Sequence, residues 1–293
     1  MKLVPFCCAA LLACAESGQG GPFSPAAGLP GSEAIVGEDI RIVAWAERVE
    51  SFTRGPIDIS EPNGAMATFG TPESALGPAN ALQGGGTSTD PSRVVSLGDG
   101  GSITLIFDPA ITDGPGPDFA VFENAFSDTF LELAFVEVSS NGIDFFRFPS
   151  VSLTPTRTQV DQADEDNDAV DPTNIDGLAG KYRVNFGTPF DLQRLIGVSS
   201  LLDVSEIRHV RVIDVVGSIL PEYARRDSAL SYTFGGLSFT ANHIINDPWK
   251  TDFFSGGFDL DALGVLHQIP ESTSASLLGA CGVLLGWRRR VVR

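Results

Sequence analysis

The body of this 293-residue chain has no cysteine. All four cysteines, Cys7, Cys8, Cys14 and Cys281, lie in the terminal segments. That excludes a disulfide framework, a thiolate metal site and a cysteine nucleophile from residues 16–271. A body of about 250 residues can bury enough surface to hold itself without such staples. Basic residues are also scarce, 19 against 37 acids for a net charge of -18, and five of them are Lys2, Arg288, Arg289, Arg290 and Arg293. The body is therefore more acidic than the total suggests, and it would repel a nucleic-acid backbone. Only three histidines are present, His209, His243 and His267, and they are scattered. No HExxH, GxSxG or GxxxxGK[ST] occurs. The expectation is a protein that is not an enzyme. Finally, no long stretch repeats apolar residues with a 3.6-residue period, so long helices are not expected.

What is present is material for strands and turns: Gly 32, Pro 19 and Phe 20. Residues 101–108 (GSITLIFD) alternate Ile103, Leu105 and Phe107 with Ser102, Thr104 and Ile106. FAVFENAF (119–126) and LELAFVEVSS (131–140) follow, and an Asn141-Gly142 turn leads into IDFFRFP, a hairpin signal. KYRVNF, VSEIRHVRVIDVVG (204–217), LSYTFGGLSF and FDLDALGVLH (258–267) complete the set. Short strands separated by turns, some apolar on both faces, predict an all-β, jelly-roll-like β-sandwich. There is no repeat and no internal linker. The expected organisation is a signal peptide at 1–15, a flexible leader at 16–35, one sandwich domain at 36–268 and a sorting signal at 269–293.

The two ends read as addresses. Lys2, an apolar run and Ala13-Cys14-Ala15 have the layout of a signal peptide cleaved after Ala15. Leu11-Leu12-Ala13-Cys14 also resembles a lipobox, in which Cys14 is lipidated, and both readings stand. At the other end, IPESTSASLLGACGVLLGWRRRVVR places Pro270-Glu271, a hydroxyl-rich spacer, an apolar run and an arginine cluster in that order. This resembles the PEP-CTERM sorting signal of Gram-negative bacteria, with Ile269-Pro270-Glu271-Ser272 at its start and without the second proline. A plain C-terminal anchor is the alternative. The resemblance implies export, an exosortase-type sorting protease as partner, and a cell-surface or extracellular location with C-terminal membrane anchoring, transient or permanent.

A second resemblance covers residues 36–266. ALGPAN (75–80), DGPGPDFAVFENAF (113–126), AFVEVSSNGIDFFRFP (134–149), LAGKYRVNFGTPFDL (178–192) and SGGFDLDALGV (255–265) are similar to an exported bacterial family of uncharacterised cell-surface proteins. VEVSSNGIDF is also distantly similar to a strand-turn of discoidin-like sandwiches. These resemblances imply location and a jelly roll, and no established activity.

Candidate chemistry rests on carboxylates. Asp164, Asp166 and Asp168 have the alternate spacing of an EF-hand loop, yet Ala169 and Ile175 stand where that loop needs Gly and Glu. Ca²⁺ and a solvated acidic loop are the two readings. Asp118, Glu123 and Asn124 flank one apolar strand, while Asp259 and Asp261 share one face of FDLDALG if it is a regular strand. Carboxylates on such strands are costly unless a cation, an arginine or a backbone cap compensates them. These five are the main candidate Ca²⁺ ligands. Trp249, Tyr223 and Tyr232 lie where rings can stay exposed and form a sugar platform. The function expected is a non-catalytic surface or matrix domain that binds extracellular polysaccharide and is stabilised by calcium. The alternative is a glycan hydrolase using paired carboxylates.

Overall fold

The structure is a computed structural model and describes residues 20–81, 90, 92–161, 170–229, 231–234 and 237–270. In chain order the strands are β1 (Ile35–Val36), β2 (Ala44–Trp45), β3 (Val49–Thr53), β4 (Val95–Ser96), β5 (Ser102–Ile111), β6 (Phe119–Glu123), β7 (Ala134–Ser139) and β8 (Phe146–Arg147). They continue with β9 (Val151–Ser152), β10 (Ile175–Asp176), β11 (Phe186–Phe190), β12 (Ile207–Asp214), β13 (Ser231–Phe234), β14 (Leu237–Thr240) and β15 (Asp259–Val265). The helical elements among the described residues are three short 3-10 turns.

Two antiparallel sheets form a sandwich. One has the order β1-β11-β6-β15-β2, with β4 also pairing β15, and the other has the order β3-β5-β12-β7-β8. The alternation in β5 does what its pattern implies. Ile103 and Leu105 are fully buried and Phe107 nearly so, in the core between the sheets. Phe119, Phe148 and Phe190 meet at its centre, with centroids 5.0–5.8 Å apart. Buried rings in edge and offset contact add about 0.5–1.5 kcal/mol per pair beyond their area. β12 is central, pairing β5 on one side and β7 on the other.

Two segments differ from their sequence expectation. KYRVNF is mostly turn, and pairing begins at Phe186 and runs through FGTPF. FDLDALGV is a strand, but its register shifts between Leu260 and Ala262. Phe258 and Leu260 therefore face the main core, Ala262 joins a separate outer cluster with Phe122, and Leu263 returns to the main core. An extra residue in one strand breaks the period of two, so Asp259 and Asp261 do not follow a regular alternation. In the leader segment, Phe23 donates its N–H to Thr173 O (3.0 Å) and its ring lies 5.1 Å from that of Tyr232.

The membrane anchoring expected at the C-terminus is corrected. Among the described residues no helix is long and apolar enough to cross a membrane. Within residues 271–293, which lie outside the described ones, the apolar run 275–287 is shorter than the roughly 20 residues that a spanning helix needs. The surface location inferred from that anchor is withdrawn with it. Cys14, Ala15 and Glu271, and the acidic loop with Asp164, Asp166 and Asp168, also fall outside the described residues.

Candidate functional site

The five main metal candidates do not form one site. β6 runs antiparallel to β15, with Phe119 opposite Val265 and Glu123 opposite Leu260. Asp118 therefore lies at one end of the strand pair. Glu123, Asn124 and Asp259 lie at the other, separated from it by the length of β6.

At the first end Asp118 is fully buried. Its Oδ1 accepts hydrogen bonds from Gly114 N (2.8 Å) and pairs with His267 Nδ1 (2.9 Å), while its Oδ2 accepts from Leu192 N (2.7 Å). Burial raises this carboxyl above its usual range, and the Leu192, His267 and Gly114 donors oppose the shift. The backbone of Asp118 joins the two neighbouring strands, donating to Phe190 O (2.8 Å) and accepting from Leu266 N (2.7 Å). Gly114 has to be glycine here, because a Cβ would come within 2.5 Å of the His267 ring. Beside Asp118 stand Asp113, from the turn after β5, and Asp191, which caps the 3-10 turn Leu192–Leu195 through Gln193 N (2.9 Å). One ligand oxygen from each of Asp113, Asp118 and Asp191 lies within 4.8 Å of the others. The Oδ1 of Asp113 is buried without a hydrogen-bond partner.

Two clefts open beside this trio. The larger, about 580 Å³, is lined by Glu33, Arg41, Pro117, Asp176, Asp191 and Arg194, among others. The smaller, about 410 Å³, is lined by Asp113, Gly114, His267 and Pro270, among others. Neither is lined by Phe, Tyr or Trp.

The second end is a buried acid field. Asp261 accepts the N–H of Asn80 (3.0 Å) and of Ala81 (3.3 Å), which makes it a cap for a distant loop. Asp214 does the same for Gly100 (2.8 Å) and Phe258 (2.7 Å). Asp259 receives hydrogen bonds from the Ser96 hydroxyl and the Asn124 side chain. Arg54 lies close enough to attract it, although that guanidinium is tied to the carbonyls of Phe69, Ser96 and Gly70. Burial pushes Asp259 and Asp214 up to about 7, and Asp99 and Asp261 up to about 6. Glu123 and Asp247 are each almost fully buried, and each has one carboxylate oxygen with a backbone donor and one without any partner.

The aromatic candidates separate as well. Tyr223 and Trp249 lie 6.0 Å apart, while Tyr232 packs on Phe23. All three are half-buried, and they do not make one platform. The residues that sequence reasoning missed are Asp113, Asp191 and His267 at the first end and Glu132 and Asp247 at the second. Asp113 opens the same DGPGPD turn that ends in Asp118, a signal that was legible. Asp191 follows at a sequence distance that no local pattern spans.

No protein-family model matches the chain, and no curated protein matches it.

Proposed function

We propose that the protein is a glycan-active hydrolase that uses paired carboxylates at the Asp113–Asp118–Asp191 end of the sandwich. One observation carries this reading: three carboxylates with oxygens within 4.8 Å of one another, beside two open clefts. Asp118 is enclosed and its oxygens are already bonded, so it positions its neighbours and does not meet a sugar. Asp191, held in one orientation by Gln193 N–H on the rim of the larger cleft, is assigned the nucleophile. Asp113, which lines the smaller cleft, is assigned the acid/base. Close carboxylates suit a double displacement through a glycosyl-enzyme intermediate, since wider pairs leave room for a direct water attack. Arg41, Arg194 and Glu33 supply polar groups for sugar hydroxyls. The half-buried, separated rings of Tyr223, Trp249 and Tyr232 give the non-catalytic binding reading less support.

The test is reducing-end release by the full chain across a panel of polysaccharides. Asp113→Asn and Asp191→Asn should each lower the rate by roughly 10²-fold or more, as loss of a general acid or nucleophile does. Absence of turnover on every glycan sinks the proposal.

A second reading has the same trio as its support: three hard oxygen ligands suit Ca²⁺. Calcium binding lost in Asp113→Asn and Asp191→Asn, with no turnover, selects it. For the architecture, we propose a jelly-roll connectivity. It is supported by the way the chain passes from β5 to β6 to β7, and from β11 to β12 to β15, changing sheet at each step. An exosortase-type protease as partner rests on the tail sequence alone, and an intact C-terminus on protein made in an exosortase-bearing host overturns it.

A further inference from the structure

A third cleft, of about 460 Å³, shares no lining residue with the two beside the carboxylate trio, and what it binds is independent of the hydrolase reading. Its polar lining is Ser152, Thr154, Thr156, Arg226, Asn242 and His243. The chain carries 37 acids, yet none of them lines this cleft. The larger cleft beside the trio, by contrast, is lined by Glu33, Asp176 and Asp191.

One carboxylate fastens the walls together from behind. Asp227 is 4 % exposed, and it accepts Ser152 N on Oδ2 (2.7 Å) and His243 N on Oδ1 (2.9 Å). Its own N–H donates to His243 O (2.9 Å). Its Oδ2 also lies 3.5 Å from His243 Nδ1, which fixes one edge of that ring and leaves Nε2 on the side away from the acid. Arg226 is exposed and donates Nη1–H to Asn242 O (2.8 Å). A guanidinium has five N–H donors in a planar fork, so a single bond of this kind anchors it without using it up.

The hydroxyls are the second observation. Ser152 and Thr154 are 1 % and 5 % exposed, and neither Ser152 Oγ nor Thr154 Oγ1 has a hydrogen-bond partner. Buried hydroxyls normally have one. Both residues line the cleft, so a ligand seated there supplies the acceptor that the chain does not. A guanidinium, an imidazole and two unused hydroxyls ask for one chemistry, an acceptor-rich anion, and Arg226 with no lining carboxylate disfavours a metal ion.

We propose that this cleft binds an oxyanion group, a sulfate, phosphate or carboxylate, with Arg226 as its charged anchor, His243 as a ring donor and the Ser152 and Thr154 hydroxyls donating from the wall. The rest of so acidic a chain repels such a group, which makes this cleft selective for it. The group is either a free ion or a substituent on an acidic sugar.

The experiment titrates sodium sulfate and sodium phosphate, and separately a sulfated oligosaccharide and its desulfated form, into the full chain. Binding is read by calorimetry and melting temperature in parallel. Arg226→Gln is the main variant because its side chain is exposed. Thr154→Val is the second, and Arg194→Gln isolates the cleft beside the trio. The expected result is anion binding that raises the melting temperature. It should be roughly tenfold or more weaker in Arg226→Gln, roughly threefold or more weaker in Thr154→Val, and unchanged in Arg194→Gln. Thr154→Val without anion should melt no lower than the wild type, since it loses no hydrogen bond, so its weaker binding is not misfolding. Tighter binding of the sulfated oligosaccharide than of sulfate, with none of its desulfated form, supports the site and makes the ligand an acidic glycan; equal binding supports it with a free ion. No anion binding in the wild type overturns the proposal. So does wild-type affinity in Arg226→Gln or in Thr154→Val, or a loss confined to Arg194→Gln.

Discussion

Asp118 and Glu123 stand at opposite ends of the same strand, and both are essentially fully buried. Their surroundings answer the cost of burial differently. Asp118 has three partners, two of them backbone N–H groups, and each of its oxygens is used. Glu123 has Ala125 N on one oxygen (2.7 Å), nothing on the other, and two aspartates as its main charged neighbours. The first arrangement is complete in the chain alone and holds a fold together. The second is complete only with a proton. A buried carboxylate is therefore not by itself a sign of function: the number of donors aimed at it separates a structural latch from an acid held neutral.

The comparison breaks most visibly at Asp118. Asp118→Ala leaves two backbone N–H groups and His267 unpaired, and should cost about 3–5 kcal/mol, read from denaturant unfolding. A cost comparable to that of a surface change would mean the latch is not one. The next effect is in the pH profile of the cation-free protein. In the unfolded chain the carboxyls lose their protons near pH 4. In the folded chain Asp99 and Asp261 keep theirs to about 6, and Asp259 and Asp214 to about 7. Raised folded values mean that this stabilisation is whole below about pH 4 and is lost as pH rises through the folded values. Melting temperature should therefore fall between pH 5 and pH 8. A chelator profile that rises over this range contradicts the acid field.

Smaller effects sharpen the contrast. Glu123→Gln keeps an acceptor for Ala125 N and puts a neutral amide where burial and neighbouring acids disfavour a carboxylate, so without cation it should not lower stability. Asp118→Asn should lower it. Equal signs for the two would erase the distinction between the ends. Arg194→Ala removes a half-exposed pair with Asp176 (2.8 Å) and should change stability by less than about 1 kcal/mol, which sets the scale of a surface charge on this sandwich.

The strands were legible wherever a period of two was intact. β6, β7 and β12 fall within the segments read as strands, and β5 covers most of its own and runs three residues past it to Ile111, because alternation reports a local requirement that each residue face core or solvent. KYRVNF shows where that signal fails: three of its six residues are apolar or aromatic, yet the pairing begins at its last residue. The shared face expected for Asp259 and Asp261 failed for a similar reason, since a register shift depends on the partner strand and leaves no mark on composition.

The sequence by itself determined the all-β class, the aromatic core, the acidic character and the absence of thiol chemistry, because these follow from composition and near-neighbour pattern. Only the tertiary structure decided which acids meet. Asp261 caps residues 180 and more positions away, and Asp191 reaches Asp113 and Asp118 through the pairing of β11 with β6. Such meetings depend on how the chain crosses between sheets, and with 37 acids in the chain no spacing rule selects the pairs that crossing brings together.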